Sequence, residues 1–498
     1  MNAPQLVSRI VLRASVFAIA SIGGFGAAAA DDPPPAKPNL IFLLVDDLGW
    51  TDLGYCGSDL YRTPHVDRLA AAGMRFTSGY AACTVCSPTR AAAMTGMYPA
   101  RLHVTDFIPG HPRPHAKLKL PDWTMRLEHR YVTLAEALKA GGYATAQVGK
   151  WHLAPRDPEK RFVEDEDYFA IKQGFDVQVA GTCYPGTYFY PYKKGGYDAR
   201  VAEGAEPGQY LTDRLTDEAL AIIEQNRDRP FFLYFAYFNV HTPVEGRADY
   251  VEQYAARVKP GMRHTNPAYA AMVQSVDDSV GRILAKLDEL GIAERTVIVF
   301  TGDNGGLDRD GDPTENKPLR DGKGSTYEGG VREPTIVKWP GVTRPGSVSD
   351  EPVITIDYYP TLLEIAGVEG DPEHTAKVDG LSLVPLLKDP QAKLARPAIY
   401  WHYPHYHSFG ATPYGAVRAG DWKLIEFYED MRVELYNLRD DLGESKNLAE
   451  RMPEKRDQLR RMLHAWRDEV GAQMPAPNPQ HDPAEDAKGR FRKPAPPH

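Results

Sequence analysis

The chain has 498 residues, of which 42% are apolar and 25% are charged, as in an ordinary globular enzyme. Its formal net charge of −9 argues against a nucleic-acid partner, and beyond the N-terminus no apolar run is long enough to span a bilayer. Four cysteines are too few for a fold built on disulfides. One bridge among Cys56, Cys83 and Cys183 stays open.

The N-terminus predicts a secretory signal. Arg9 and Arg13 supply a positive start, and an apolar segment rich in small residues follows, with cleavage expected after Ala30. We therefore expect a periplasmic or secreted protein that has no membrane span once residues 1–30 are removed. An uncleaved membrane anchor is the alternative. Residues 31–38 form a Pro-rich lead-in.

Apolar strands alternate with amphipathic helices in the predicted catalytic domain, residues 39–394. The strands are predicted at 39–45, 143–148, 231–240 and 296–300. The helices are predicted at 65–72, 133–140, 212–225 and 270–290. This alternation predicts an α/β sandwich with a large mixed, mostly parallel sheet between helices. Each strand ends in polar residues, and ligands bind at the carboxyl edge of such sheets.

The C-terminal region differs in pattern. Short strands and a closing helix at 395–470 predict a small α+β subdomain with a short antiparallel sheet. Residues 471–498 are polar and Pro-rich, so we expect a disordered tail.

Cys86 is the first candidate for chemistry. Together with Cys83 it forms a CxxC pair, but without a second pair or a nearby histidine a zinc or redox site is a weak interpretation. Pro88 suits the first turn of a helix, so Cys86 is expected at a helix N-terminus, which favours anions. Arg90 lies one turn further on the same face.

Oxygen-bearing side chains follow two of the strands. Asp46 and Asp47 come directly after the first strand, and Asp303 and Asn304 come after the fourth. Hard oxygen ligands with three carboxylates suit Ca²⁺ or Mg²⁺ rather than zinc. A helix cap or a solvated turn is the alternative for the Asp pair.

Two lysines and two histidines complete the polar set. Lys150 and His152 are two residues apart and would face the same side of an extended segment. Lys323 lies in a Gly-rich loop that can cradle an anion. His241 follows the third strand, and a surface histidine is its alternative.

These motifs resemble a known family. The run Cys86-Ser87-Pro88-Thr89-Arg90 closely resembles the signature of type I, formylglycine-dependent sulfatases of the alkaline phosphatase-like superfamily. Further segments resemble that family in the same order, namely 39–49, 149–153, 301–306, 319–324, 327–332, 420–424 and 434–438.

The resemblance implies a fold, a modification and a metal. It implies an alkaline phosphatase-like sandwich, oxidation of Cys86 to formylglycine (3-oxoalanine) by a dedicated maturation enzyme, and Ca²⁺ with an oxygen of the modified Cys86 as a ligand. The implied catalytic residues are Cys86, Arg90, Lys150, His152, His241 and Lys323.

A mechanism follows from these roles as a hypothesis. A hydroxyl of the hydrated aldehyde, held by Arg90 and the metal, attacks sulfur while the two lysines neutralise the sulfate oxygens. His241, with Lys323, protonates the departing alcohol, and His152 takes a proton from the second hydroxyl. The resemblance thus implies a sulfuric ester hydrolase.

The substrate is less defined by the sequence. The run 401–407 is dense in aromatic rings and imidazoles, which can stack on sugars and bond their hydroxyls. It resembles a segment of bacterial sulfatases that is followed by residues like Arg418 and Lys423, and this resemblance implies a sulfated sugar. We favour a galacto-configured sugar sulfate derived from a polysaccharide. Packing between the two regions is an equal alternative for that run. Candidate substrate-binding residues are Asp106, His111, His402, His405 and Arg418. Competing functions are a phosphodiesterase or phosphonate monoester hydrolase of the same superfamily and an inactive sugar-binding homologue.

Overall fold

The computed structural model describes residue 1 and the ranges 37–156, 164–192, 199–309 and 311–488. The predicted signal and most of the Pro-rich lead-in fall outside the described residues. In the part of the chain that is described, no helix is both long and apolar enough to cross a membrane.

Strands and helices alternate along the described chain. The strands are β1 (Asn39–Val45), β2 (Met74–Tyr80), β3 (Leu118–Lys119), β4 (Ala144–Gly149), β5 (Val177–Ala180), β6 (Phe231–Ala236), β7 (Thr296–Gly302), β8 (Arg332–Lys338), β9 (Ser347–Ser349), β10 (Val353–Ile354), β11 (Ile399–Tyr403), β12 (Tyr414–Ala419), β13 (Trp422–Phe427), β14 (Val433–Asn437) and β15 (Ala476–Pro477). The α-helices are α1 (Pro64–Ala72), α2 (Cys86–Thr95), α3 (Pro99–Leu102), α4 (Leu134–Ala140), α5 (Ala199–Ala202), α6 (Leu211–Gln225), α7 (Ala248–Ala255), α8 (Pro267–Glu289), α9 (Glu328–Val331), α10 (Tyr358–Ala366), α11 (Pro372–Thr375), α12 (Val384–Lys388), α13 (Pro453–Val470) and α14 (Pro483–Lys488).

The large sheet has the strand order β10–β2–β8–β7–β1–β6–β4–β5, with β9 beside β2. The strands from β7 to β5 run parallel to one another. Strand β8 is antiparallel to both of its neighbours. The mixed, mostly parallel sheet is therefore confirmed, and the carboxyl ends of β7, β1, β6 and β4 meet along one edge.

Strand β1 is buried on both faces. Ile41 and Leu43 pack with α1, α6 and α8 in one core. Leu40 and Phe42 pack with α2, α4 and α10 in the other. A strand covered on both sides reads as a continuous apolar run, which is why its sequence shows no polar alternation.

The C-terminal subdomain is built on a second sheet. Strands β11 to β14 are antiparallel neighbours in sequence order, as predicted. Leu459 and Leu463 of α13 share a core with Val417 and Leu424 of this sheet. The described chain from Lys37 onward forms one compact unit.

The prediction of a disordered tail is wrong for residues 471–488. Strand β15 pairs with β3, and α14 follows it. Asn478 Nδ2 donates to the carbonyl oxygens of Pro114 and Ala116 at 2.9 and 2.7 Å. The polar groups of this segment form hydrogen bonds with the rest of the chain. Composition alone does not reveal such contacts. Residues 489–498 lie outside the described ranges.

A buried ion network joins the subdomain to the catalytic domain. Lys423 Nζ lies 2.9 Å from Glu328 Oε1 and 3.0 Å from Glu444 Oε1, and all three side chains are fully buried. The backbone N–H of Glu328 also donates to Glu444 at 2.6 Å. Because Glu328 begins α9, five residues after Lys323, the network anchors the end of the Lys323 loop.

Replacing Lys423 with methionine should destabilise the fold by about 3–5 kcal/mol, because the buried Glu444 would lose its lysine partner and Glu328 would keep only Arg332 as an ion-pair partner. Lys446→Met, an exposed site in the same subdomain, should change the free energy of unfolding by less than about 0.5 kcal/mol. Urea denaturation of both variants measures the difference. Equal stabilities of the two variants would contradict the assignment.

Candidate active site

The carboxyl edge of the large sheet gathers polar side chains from four strands. Asp46 follows β1, Lys150 follows β4, and Asp303 follows β7. His241 lies beyond the end of β6, where the chain has already left the sheet. The sheet order makes these strand ends neighbours, so their side chains face a common space.

The backbone at these strand ends is constrained. Gly149 has a φ of 93°, and a Cβ there would collide with the carbonyl oxygen of Ala236, so only glycine lets the chain reach Lys150 by this route. Asp47 and His152 have φ values of 58° and 60°. Non-glycine residues enter this region at a cost of about 1–3 kcal/mol, and such residues concentrate at functional sites.

Cys86 is the first residue of α2, all of whose residues are buried. Thr89 Oγ1 accepts from the N–H of Cys83 and donates to its carbonyl oxygen, both at 3.1 Å, which closes the turn into the helix. The residue before the helix, Val85, supplies no side-chain cap to the first amides. A helix N-terminus with uncapped amides is suited to an anion.

The remaining cysteines form no bridge. Cys56, Cys83 and Cys183 are all free, and the last two are buried. Burial raises the pKa of the Cys83 thiol to about 12, so this residue is a protonated thiol at neutral pH. Among the described residues, Cys83 belongs to no group of potential metal ligands, whereas Cys86 lies with three aspartates.

An acidic cluster lies beneath Cys86. Asp46, Asp47, Cys86 and Asp303 are buried, and each offers a ligand atom within 4.8 Å of the others. Asn304 Nδ2 donates to Asp47 at 2.8 Å, while its buried Oδ1 has no hydrogen-bond partner among the described residues. Three carboxylates and an amide oxygen that lacks a donor fit a hard divalent cation.

Two lysines flank the nucleophile position. Lys150 Nζ lies 2.6 Å from Asp46 Oδ2. Lys323 Nζ lies 2.5 Å from Asp47 Oδ1 and 3.6 Å from Cys86 Sγ. Burial lowers the pKa of each ammonium, but the adjacent carboxylate outweighs it and raises the pKa. Both lysines are therefore charged at neutral pH.

Arg90 is held inside the cluster. Its Nε and Nη2 donate to Asp303 Oδ2 at 2.9 and 2.7 Å, and its Nη1 donates to the carbonyl oxygen of Lys150 at 3.0 Å. The side chain is fully buried. Arg90 thus orients Asp303 and the backbone of Lys150, one turn below Cys86.

The two histidines are neutral in this environment. Burial, and then the charge of Lys323, lowers the pKa of His241, whose Nε2 lies 3.9 Å from Asp47 Oδ2. Burial, and then Lys150, holds the pKa of His152 well below its ordinary range. His152 Nε2 lies 2.7 Å from the carbonyl oxygen of Ile108, and its buried Nδ1 has no partner among the described residues. A neutral His152 that donates from Nε2 therefore presents Nδ1 as a proton acceptor.

Three of the five predicted substrate-binding residues are packed away from the site. His402 bonds Tyr428 Oη at 2.7 Å and the carbonyl oxygen of Gln473 at 2.9 Å. His405 bonds Thr105 Oγ1 at 2.8 Å. Arg418 donates to Tyr80 Oη, and all three side chains are buried. His405 and Arg418 bond residues of the catalytic domain, and His402 bonds residues of the C-terminal region, so these contacts favour the packing alternative for all three.

Asp106 and His111 differ from each other. Asp106 is buried and accepts from Tyr403 Oη at 2.8 Å, and burial raises its pKa to about 7. His111 is half-buried, with its ring centroid 5.9 Å from that of His407. Of the five candidates, His111 alone keeps partial exposure beside the Lys323 loop.

Sequence reasoning did not assign His407 or Tyr184 to the site. A Cβ on Gly324 would collide with His407 Nδ1, so this imidazole lies against the Lys323 loop. The Tyr184 ring lies edge-on to His241, with centroids 6.0 Å apart. His407 belongs to the aromatic run, but it lies beyond the end of β11, where strand alternation no longer predicts direction. No pattern in the sequence distinguishes Tyr184.

The fold and the site together fit a hydrolase for esters of a tetrahedral oxyanion: Cys86 lies at a helix N-terminus, beside two charged lysines and an acidic cluster that fits a divalent cation. The chain belongs to the sulfatase family. The family model for sulfatases matches residues 38–368. A second model, for the C-terminal part of N-sulphoglucosamine sulphohydrolase, matches residues 321–469.

Individual relatives agree with the family. A sulfatase of Formosa agariphila is 34% identical, over 86% of this chain and 88% of the relative. The N-acetylgalactosamine-6-sulfatase of Sus scrofa is 34% identical, over 83% of this chain and 76% of the relative. The crystal structure of Ps i-CgsB in complex with k-i-k-neocarrahexaose superposes with a TM-score of 0.70 at 27% identity, covering 91% of this chain and 98% of that one. The chain is therefore a sulfuric ester hydrolase.

Proposed function

We propose that this sulfatase removes sulfate from a polysaccharide-derived sugar, with a formylglycine made from Cys86 and a Ca²⁺ ion. The observation that carries the proposal is the position of Cys86, at the start of α2, 3.6 Å from Lys323 Nζ and 3.4 Å from Asp46 Oδ1. The similarity to an N-acetylgalactosamine-6-sulfatase and to a protein solved with a carrageenan hexasaccharide supports a sugar substrate.

The two groups that maturation and metal loading would add have defined places. Asp46, Asp47, Asp303 and Asn304 would hold Ca²⁺, which supplies positive charge for the sulfate oxygens when bound. A formylglycine at position 86 would supply a hydrated aldehyde. Its hydroxyl is an oxygen nucleophile, which a buried thiol does not provide. Burial, and then Asp46, raises the pKa of the Cys86 thiol well above its usual range, which supports the need for the modification.

The lysines bind the sulfate group. Lys150 pairs with Asp46 and Lys323 pairs with Asp47, and both lysines keep their positive charge. Two fixed ammonium groups in a buried site stabilise the charge that develops on sulfate oxygens, without a reorganisation cost. Arg90 bonds Asp303 and the carbonyl oxygen of Lys150, and so fixes both next to Cys86.

The histidines move protons. His152 Nδ1 is an acceptor without a partner among the described residues, and it would take the proton that a formylglycine at position 86 gives up. His241 and Lys323 assist the departing alcohol, because both lie against Asp47 near the site opening. His241 is partly exposed, with 18% of its side chain accessible, so a leaving alcohol can reach it.

The test of function is a desulfation screen of defined sulfated sugars with matured enzyme, read by chromatography. We expect release of sulfate from at least one galacto-configured sugar sulfate. An enzyme that hydrolyses aryl phosphate diesters faster than aryl sulfate would instead support the phosphodiesterase or phosphonate monoester hydrolase alternative. Sugar binding with no sulfate release after confirmed maturation would support the inactive homologue.

Secretion is part of the proposal. Residues 1–30 would direct the chain to the periplasm or the medium. N-terminal sequencing of the exported protein should begin at Asp31. A start at Met1 in a membrane fraction would support an anchored protein instead.

Removal of the metal should abolish activity. We expect dialysis against a chelator to lower the rate of aryl sulfate hydrolysis at least about 100-fold, because the sulfate oxygens lose their strongest counter-charge. Added Ca²⁺ should restore the rate more fully than Mg²⁺, since the cluster offers several oxygen ligands. Full activity in a sample shown to be metal-free by elemental analysis would contradict this expectation.

The pH dependence follows from the lowered pKa of His152. A base acts in its neutral form, so activity should persist as pH falls through 6.5, the ordinary pKa of histidine, and decline only well below it. The pH profile of kcat/KM measures this acid limb. A midpoint at or above 6.5 would show that the assigned base is wrong.

A further inference from the structure

A second concave region lies beside the active site. It is a cavity of about 970 Å³ between the loop 308–327 of the catalytic domain and the segments 409–414 and 427–445 of the C-terminal subdomain. A cavity of this volume accommodates a drug-sized molecule, which is larger than one sugar ring. None of the assigned catalytic residues lines it.

The cavity wall carries three arginines, each held over an aromatic ring. The guanidinium carbons lie 4.4, 3.7 and 3.6 Å from the ring centroids in the pairs Arg309–Phe409, Arg320–Tyr327 and Arg432–Phe427. Stacking fixes the guanidinium planes, and part of each group is used within the protein: Arg432 bonds Glu434, Arg320 bonds the carbonyl oxygen of Glu444, and Arg309 lies 3.5 Å from Asp321. The remaining N–H groups can donate to hydroxyl or sulfate oxygens. Five carboxylates on the same wall can accept hydrogen bonds from hydroxyls, namely Asp308, Asp321, Glu429, Asp430 and Glu444. The lining thus suits a ligand that bears both hydroxyl and sulfate groups.

The cavity is continuous with the catalytic loop. Asp321 and Ser325 line it, and Lys323 between them reaches to 3.6 Å from Cys86 Sγ. Arg309 Nη2 donates to the carbonyl oxygen of Lys323 at 3.0 Å. Only the side chain of Lys323 therefore separates this part of the cavity wall from Cys86.

A second link runs through the subdomain. Phe409 of the cavity has its ring centroid 4.7 Å from that of His407, which lies against Gly324 of the same loop. His407 in turn contacts the half-buried His111. The rings of His111, His407 and Phe409 therefore form a row of contacts that ends at the cavity.

We propose that this cavity binds the sugar residues next to the one that loses sulfate, so that the enzyme acts on sulfated oligosaccharides in preference to monosaccharides. The inference rests on the proposed function and extends it, because it assigns the second binding region and the size class of the substrate. Sugar hydroxyls would meet the cavity carboxylates, and further sulfate groups would meet the stacked arginines.

The experiment compares inhibitors of aryl sulfate hydrolysis by matured, Ca²⁺-loaded enzyme. The probes are tetrasaccharides from chondroitin sulfate and from carrageenan, and the monosaccharides N-acetylgalactosamine 6-sulfate and galactose 6-sulfate. We expect at least one tetrasaccharide to inhibit at a concentration about tenfold lower than its monosaccharide. In Phe409→Ala and in Arg432→Ala that ratio should fall below about threefold.

Arg439→Ala is the matched control, because this arginine belongs to the same subdomain, is 74% exposed and does not line the cavity. It should leave both the ratio and the aryl sulfate rate unchanged. The inference is overturned if no tetrasaccharide is favoured, or if the advantage persists in both cavity variants. Absence of any sulfate ester hydrolysis after confirmed maturation would instead overturn the proposed function. Calorimetric titration with the same tetrasaccharides would then still decide whether the cavity binds them.

Discussion

Replacing Cys86 with alanine should lower sulfate release by at least about 10⁴-fold, because the variant has no group that maturation can convert into a nucleophile. Cys86 begins α2 and is buried, so the smaller side chain should leave the fold intact. Initial rates with aryl sulfate measure the loss, and circular dichroism checks the fold. Protein with unmodified Cys86 should be as inert as the alanine variant.

Cys83→Ala is the control for this prediction. Cys83 is buried three residues earlier, and its backbone rather than its thiol is used by Thr89. We expect its loss to change the rate by less than about threefold. A loss of activity in Cys83→Ala as large as that in Cys86→Ala would support a dithiol site instead.

Lys323→Met should lower kcat at least about 100-fold, the effect typical of removing one preorganised donor from an oxyanion site. The ammonium group lies 3.6 Å from Cys86 Sγ and neutralises Asp47, so its loss removes charge next to the reacting sulfate. Steady-state kinetics with aryl sulfate measures the change, and the calcium content of the variant separates loss of chemistry from loss of metal.

Lys317→Met is the matched control, because Lys317 lies in the same loop and its side chain is 73% exposed. Its kcat should stay within about twofold of the parent, since exposed ion pairs contribute little. Equal kinetics of the two methionine variants would show that Lys323 plays no part in catalysis.

The sheet and the elements that deliver the site could be predicted from the sequence. The run at β1 is apolar because both faces are buried, and Asp46 is the first polar residue after it. The same pattern places Lys150 and Asp303 at the ends of β4 and β7, which share the carboxyl edge of the sheet with β1. These residues could be predicted because the carboxyl ends of parallel strands lie along one edge of the sheet. Polar residues that directly follow such strands are therefore expected on the same side of the protein.

The substrate side of the site could not be predicted in the same way. His402 is buried and bonds Tyr428, and His405 is buried and bonds Thr105 through Nε2, while His407 lies beside Gly324. Composition cannot distinguish these orientations, because they depend on contacts distant in sequence. The ordered segment after α13 escaped prediction for the same reason, since its hydrogen bonds are made with residues more than three hundred positions earlier.

The most direct test of the central claim is mass spectrometry of the peptide 76–90, which trypsin releases by cleaving after Arg75 and Arg90. The peptide also contains Cys83, whose thiol serves as an internal reference. In active enzyme we predict an aldehyde at position 86 and a thiol at position 83, with a specific activity proportional to the converted fraction. Full sulfatase activity in protein whose Cys86 is an unmodified thiol would contradict the mechanism.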